Sequence, residues 1–112
     1  MILLGIDPGY GIVGYGVVSS VRGVASPIGH GVITTEANLP LPDRLAVIYR
    51  DMNQLLDHFK PHAAAVEQLF YQHNQTTVIQ VAEARGVILL ALREHGVETF
   101  EYTPMQVKMA LT

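Results

Sequence analysis

The sequence contains no cysteine. Disulfide frameworks and thiolate zinc sites are therefore excluded, and the chain suits a reducing cytoplasm. Charge is scarce: Asp, Glu, Lys and Arg make up 15% of the residues, against 49% hydrophobic. So apolar a chain can build a core, which excludes the disordered class. Long hydrophobic runs are also lacking. Val87 to Leu92 is far too short to span a membrane. The opening Met1-Ile2-Leu3-Leu4 lacks the basic start of a signal peptide, and its apolar run ends at Asp7. A basic excess is missing too, since the net charge is −3 and the pI is near 5.9. Proteins that bind phosphate backbones usually carry a basic footprint, so composition alone points away from nucleic acid. An enzyme that holds cations between carboxylates is the exception. It can be acidic overall and still meet DNA through local Lys and Arg.

What is present reads as one domain over residues 1–112, without repeat, linker or low-complexity tract. Ile2 to Ile6 is a short apolar run ending at Asp7 and reads as a buried strand; Pro8-Gly9 signals a turn. Gly14 to Ser20 and Ile28 to Thr35 read as two more strands around the turn Val21-Arg22-Gly23, so the first three strands form a meander. The period then changes. Leu45, Ile48, Met52, Leu55, Leu56 and Phe59 recur at helical spacing, opened by Pro42-Asp43 and closed by Pro61. Ala63 to Val66 reads as a strand ending at Glu67, Thr76 to His95 as a long helix stopped by Gly96, and Val97 to Tyr102 as a fifth strand. Pro104 opens a last helix that has no stop signal before Thr112, so the chain reads as C-terminally incomplete. The order β-β-β-α-β-α-β-α implies an α/β fold, a mixed sheet covered by helices.

Asp7 and Glu67 each follow an apolar strand. If those strands are parallel neighbours, both carboxylates reach one edge of the sheet. Converging negative charges repel, and a divalent cation relieves the repulsion. Magnesium favours one or two carboxylates with water and phosphate oxygens, and the chemistry this suits is two-metal phosphodiester hydrolysis. Each acid read alone is equally a loop residue or a helix cap. Phe70 is either a core anchor or a loop residue, and the polar run Gln72-His73-Asn74-Gln75 favours the loop. Lys108 by itself reads as a solvated lysine, and Arg85 as an ion pair on a helix surface or at an interface. His58 and His62 straddle the helix end at Pro61 and present no reliable metal face. Gly9-Tyr10-Gly11 is a glycine-rich turn, but no Lys-Ser/Thr follows, so it is no P-loop.

Three segments carry a resemblance. Leu4-Gly5-Ile6-Asp7-Pro8-Gly9 with Gly14-Tyr15-Gly16-Val17 resembles the opening of RuvC-type Holliday-junction resolvases. Glu67-Gln68-Leu69-Phe70 with Asn74 and Ala84-Arg85-Gly86 resembles their second signature, and Tyr102 with Gln106-Val107-Lys108 the third. The matches run in order across essentially the whole chain. The resemblance implies a ribonuclease-H-like fold with a five-stranded mixed sheet and helices on both faces, the C-terminal helices being absent from this chain. It implies a magnesium-dependent, cytoplasmic endonuclease that resolves four-way DNA junctions by paired nicks in recombination and repair. Asp7 and Glu67 match the family's first two metal-binding carboxylates, in a site of two magnesium ions, with manganese as a substitute. Phe70 resembles a wedge that stacks on bases at the crossover, with Tyr71 assisting; Lys108 would hold the scissile phosphate. The implied partners are four-way junction DNA, a second copy in a homodimer built on the long helix after Glu67, and the RuvA–RuvB branch-migration complex; no membrane is implied. The family's further acids sit in an Asp-Ala-Leu-Ala type segment that this chain does not contain, so the 112 residues alone are expected not to cut. That shortage leaves open a junction-binding module without cleavage. A nucleotide-binding ATPase half-domain is the other alternative, because a Gly-Ile-Asp-x-Gly start also opens the actin and sugar-kinase ATPases.

Overall fold

The structure, a computed structural model, describes residues 1–9, 11–68 and 75–102, with residues 75–77 described by backbone alone. Five strands and two helices run in the order β1 (Ile2–Pro8), β2 (Ile12–Val21), β3 (Val24–Thr34), α1 (Leu41–Phe59), β4 (Ala63–Glu67), α2 (Gln75–Glu94) and β5 (Glu98–Tyr102). The strands form one sheet in the order β3-β2-β1-β4-β5. The first three pair antiparallel, while β4 pairs parallel with both β1 and β5. This is the expected mixed sheet: a meander extended by strands that return through helices. The helix expected from Pro104 lies outside the described residues.

Local chemistry explains most boundaries. Arg22 and Gly23 both adopt positive φ (53° and 80°) between Val21 and Val24, the conformation of a two-residue hairpin turn whose twist matches its strands. The third strand therefore starts at Val24, ahead of the Ile28 read from the sequence. Pro27 is tolerated because β3 is an edge strand, and the register shifts beside it, between Val17 and Val18. Helix α1 ends where Lys60 turns left-handed and its N–H returns to the Leu56 carbonyl; Pro61 prevents continuation. Helix α2 ends in a Schellman motif. Gly96 (φ 68°) donates to Arg93 O and Val97 donates to Leu92 O, which aims the chain directly into β5.

The sheet's two faces differ. Leu4, Ile6, Val13, Val17, Ile33, Ala64 and Val66 are buried on one face, and both described helices pack there. Helix α1 contributes Ile48, Met52, Leu55 and Leu56, and α2 contributes Ala84, Ile88, Ala91 and Leu92 at i, i+4, i+7 and i+8. Glycine is required at two points on this face. A Cβ at Gly29 would lie 2.8 Å from the Phe59 ring, and one at Gly31 would lie 2.6 Å from the Tyr15 hydroxyl. The two glycines of this edge strand thus let two aromatics close the core. Among the described residues, no helix is long and apolar enough to cross a membrane.

Polar contacts tie α1 to α2. Tyr49 donates to Glu94, and His95 lies 3.0 Å from Asp57 through Nε2 and 2.9 Å from the Ala91 carbonyl through Nδ1. Both ring nitrogens of His95 face acceptors, and only the imidazolium can donate to both. The Ala91 carbonyl accordingly raises the His95 pKa above its ordinary 6.5, Asp57 adds to this, and desolvation opposes it. A raised histidine contributes stability that is complete below its ordinary pKa and lost as pH climbs through the raised one. Thermal unfolding of the protein should therefore show a small loss of Tm as pH rises from about 6 through neutrality. Asp57→Asn should partly flatten that loss by removing the carboxylate charge that favours the imidazolium, while changing Tm little at alkaline pH. An unchanged pH slope in Asp57→Asn would show that the pair is idle.

Candidate active site

The parallel pairing of β1 with β4 builds the site. Their register sets Leu4 beside Ala64, Gly5 beside Ala65 and Ile6 beside Val66, so the next step sets Asp7 beside Glu67. Alternation then decides the face. Ile6 and Val66 point into the helix-covered core, so Asp7 and Glu67 point to the opposite face. Asp7 lies within β1, one residue before its end, and Glu67 is the last residue of β4. Asp7 is exposed and Glu67 is half-buried. On the same face the neighbouring positions are Gly5, Gly14, Gly16 and Ala65, which leave the carboxylates unscreened by bulk.

The two carboxyl groups are in hydrogen-bonding contact. That hydrogen bond to Asp7 holds the Glu67 carboxyl up to about 7, reinforced by partial burial and by the Asp7 charge. Glu67 therefore retains a proton over a pH range in which an isolated glutamate, near 4.5, would have lost it. Tyr102 pairs with Glu67 across the β4–β5 ladder and shares its face. Burial raises the Tyr102 pKa, and the charges of Glu67 and Asp7 raise it further. Among the described residues no third His, Asp or Glu joins this pair in a metal-sized cluster. Two hard oxygen donors side by side on adjacent strands have the chemistry of a divalent-cation site.

A second set of contacts backs Glu67 from the helix side. Arg85 of α2 forms an ion pair with Glu101 of β5, and its Nε donates to the Glu67 main-chain carbonyl at 3.3 Å. Gln68 N–H donates to the Tyr102 carbonyl, and its side-chain amide lies 3.5 Å from Glu101. The sequence reading of Arg85 as an ion pair holds, but its bond to Glu67 was not legible. Neither was the place of Tyr102 beside Glu67; the alternation of residues 97–102 was the available signal, and it needed the register of β5 to be useful. His58 and His62 are both exposed, and His62 Nδ1 accepts the Ile2 N–H at 3.0 Å. Phe70, Tyr71 and Lys108 lie outside the described residues.

With this geometry in hand, the likeness to known proteins is specific. A family model described as crossover junction endodeoxyribonuclease RuvC matches residues 3–112. The crossover junction endodeoxyribonuclease RuvC of Brevibacillus brevis is 50% identical over 112 residues, which is all of this chain and 68% of that protein. The structure of Thermus thermophilus RuvC in complex with a Holliday junction substrate superposes with a TM-score of 0.90 at 35% identity, over 100% of this chain and 70% of that one. The yeast mitochondrial Holliday junction resolvase Ydc2 superposes at 0.70 with 16% identity, over 96% of this chain and 54% of that one, a likeness of fold. Together with the five-stranded mixed sheet, these neighbours give the fold as ribonuclease-H-like. The chain belongs to the RuvC family of crossover junction endodeoxyribonucleases.

Proposed function

We propose that the protein is a magnesium-dependent endonuclease that resolves four-way DNA junctions by paired nicks. The observation that carries this reading is the Asp7–Glu67 pair, two carboxyl groups held side by side on the open face of the sheet by the β1–β4 register. Their donor set fits magnesium, with manganese as a substitute. Two such ions, when bound, supply an activated water and a counter-charge for the leaving oxygen. Asp7 and Glu67 would hold the ions, Glu67 after losing the proton that its raised pKa retains. Lys108 holds the scissile phosphate as a compact point charge. Phe70 stacks on a base where the junction opens, an interaction of about 1–3 kcal/mol that offsets part of the unstacking, and Tyr71 assists it.

The enzyme acts in the cytoplasm as a homodimer, and a RuvA–RuvB branch-migration complex is its expected partner. The outer stripe of α2 supports the dimer. Val81, Ile88 and Leu92 are buried in the protomer's own core, whereas Ile79, Ala82, Gly86 and Leu90 form an exposed row at helical spacing. That exposed apolar row is what would meet its like on a second copy.

In the complete gene product, Asp7→Asn should reduce nicking of a labelled four-way junction by more than the 10–100-fold typical of residues that merely support a ligand. Junction binding should survive, because the lost group holds metal and not DNA. Retained nicking would remove Asp7 from the site.

The raised pKa of Glu67 makes metal binding depend on pH. Cation affinity should rise as pH rises through about 7, since the proton must leave first. Without metal, the folded state holds this proton above the ordinary 4.5, so the pair's contribution to stability falls as pH rises from 4.5 to about 7. Magnesium should recover Tm most above that range. Calorimetric titration with Mn²⁺ between about pH 6 and 8 checks the first point, and a flat affinity contradicts it.

Phe70→Ala should leave Tm nearly unchanged and weaken cleavage, or weaken the fluorescence change of a 2-aminopurine placed at the crossover. A stability loss of about 3–5 kcal/mol would instead mark Phe70 as a core residue.

A further inference from the structure

Arg85 does two things at once from the helix side of the sheet. Its Nε reaches the main-chain carbonyl of Glu67 at 3.3 Å, and its terminal nitrogen pairs with the Glu101 carboxylate. Glu67 ends β4, so the ladder that holds it stops at that residue. On its β5 side, Glu67 still pairs with Tyr102; on its β1 side, the last paired residues are Ile6 and Val66. A strand end carrying a carboxylate against a like charge has every tendency to swing away. The guanidinium grips that end where the ladder gives out, and Glu101 anchors the grip on the neighbouring strand.

The alternation of β4 and β5 separates this contact from the chemistry. Glu101 pairs with Val66 and shares its core-side face, whereas Glu67 and Tyr102 face the other way. The Arg85 side chain is 17% exposed and its charge is engaged by Glu101. Asp7 is the charge that acts on the Glu67 carboxyl. Arg85 therefore bears on Glu67 through the backbone and not through the field. A guanidinium fork holds a carbonyl and a carboxylate at a fixed separation, whereas a lysine ammonium, with three rotatable donors on a flexible stem, can reach both acceptors without fixing their spacing.

We propose that Arg85 is a positioning residue: its fork joins the Glu67 carbonyl to Glu101 and so sets the spacing of the Asp7–Glu67 pair for divalent-cation binding. The proposal rests on the metal-holding reading of that pair. Neither removal nor blunting of the fork should cost much stability, because a partly exposed ion pair contributes little. Both should weaken cation binding by about 10-fold or more, as outer-shell partners of metal ligands typically do.

The test is Mn²⁺ affinity, measured by calorimetry and by electron paramagnetic resonance of free Mn²⁺, on the complete gene product without DNA. Parent, Arg85→Met, Arg85→Lys and Asp7→Asn are compared, with Tm and metal-free junction binding measured on each. The expected result is a loss of affinity in Arg85→Met and also in Arg85→Lys, with Tm and junction binding close to the parent's. Lysine keeps the charge and the pairing with Glu101, so if Arg85→Met fails to fold, Arg85→Lys carries the test. Parent affinity in Arg85→Lys overturns the fork and leaves only a charge requirement. Loss of metal-free junction binding overturns the proposal in favour of a DNA contact. If Asp7→Asn loses Mn²⁺ and the Arg85 variants keep it, this inference falls while the function stands. If Asp7→Asn keeps parent affinity, the reading of the carboxylate pair falls, and this inference with it.

Discussion

The parallel ladder between β1 and β4 is the constraint on which the rest of the structure depends. Its hydrogen bonds fix Ile6 beside Val66, and with neighbouring strands about 4.8 Å apart the next two residues cannot avoid each other. Those residues are Asp7 and Glu67. Their approach is unfavourable when both are charged, and the raised pKa of Glu67 reflects its nearness to Asp7. It is sustained by what lies beneath. Leu4, Ile6, Ala64 and Val66 are buried on the core side of the same two strands, and a slip of one residue would expose them all. Apolar burial thus holds two like charges together at a place where a cation can use them.

The sheet divides labour between its faces because side chains alternate. The face under α1 and α2 carries the core, closed at the β3 edge by Tyr15 and Phe59 over two glycines. The other face carries the carboxylates among glycines and alanines. Arg85 connects the two: it belongs to a helix on the core side, yet it bonds the backbone of a residue whose side chain faces away. Such a contact lets the packing of α2 set the geometry of the carboxylate face without intruding on it.

Placement of α2 in turn depends on its ends and on its seam with α1. The Schellman motif at Gly96 turns the chain straight into β5, so the strand enters in a single register. That register puts Glu101 under Arg85 and Tyr102 beside Glu67. The Tyr49–Glu94 and His95–Asp57 contacts hold the same end of α2 against α1. Register therefore gathers two acids on one face of the sheet, irrespective of the chain's net charge of −3.

The amino-acid sequence by itself determined the order of the described elements and placed Asp7 and Glu67 at the ends of two apolar strands. Period-two and period-3.6 patterns, the Arg22-Gly23 turn, Pro61 and Gly96 are local signals, and local signals are legible because each acts within a few residues. Asp7 and Glu67 stood out because each follows an apolar strand, and the motifs around them carried the family. Boundaries were less legible: β3 begins four residues before Ile28 because an edge strand tolerates Pro27, and being an edge is not a local property. Only the tertiary structure decided that Arg85 meets both Glu101 and the Glu67 carbonyl, that Tyr102 flanks Glu67, and that Asp57 faces His95. Each of these joins residues 16 or more positions apart, or lying on adjacent strands, and each depends on a register or a helix seating that alternation permits but does not choose. Sequence pattern tells which way a side chain points along its own element; which residue it then meets is fixed only when the elements pack.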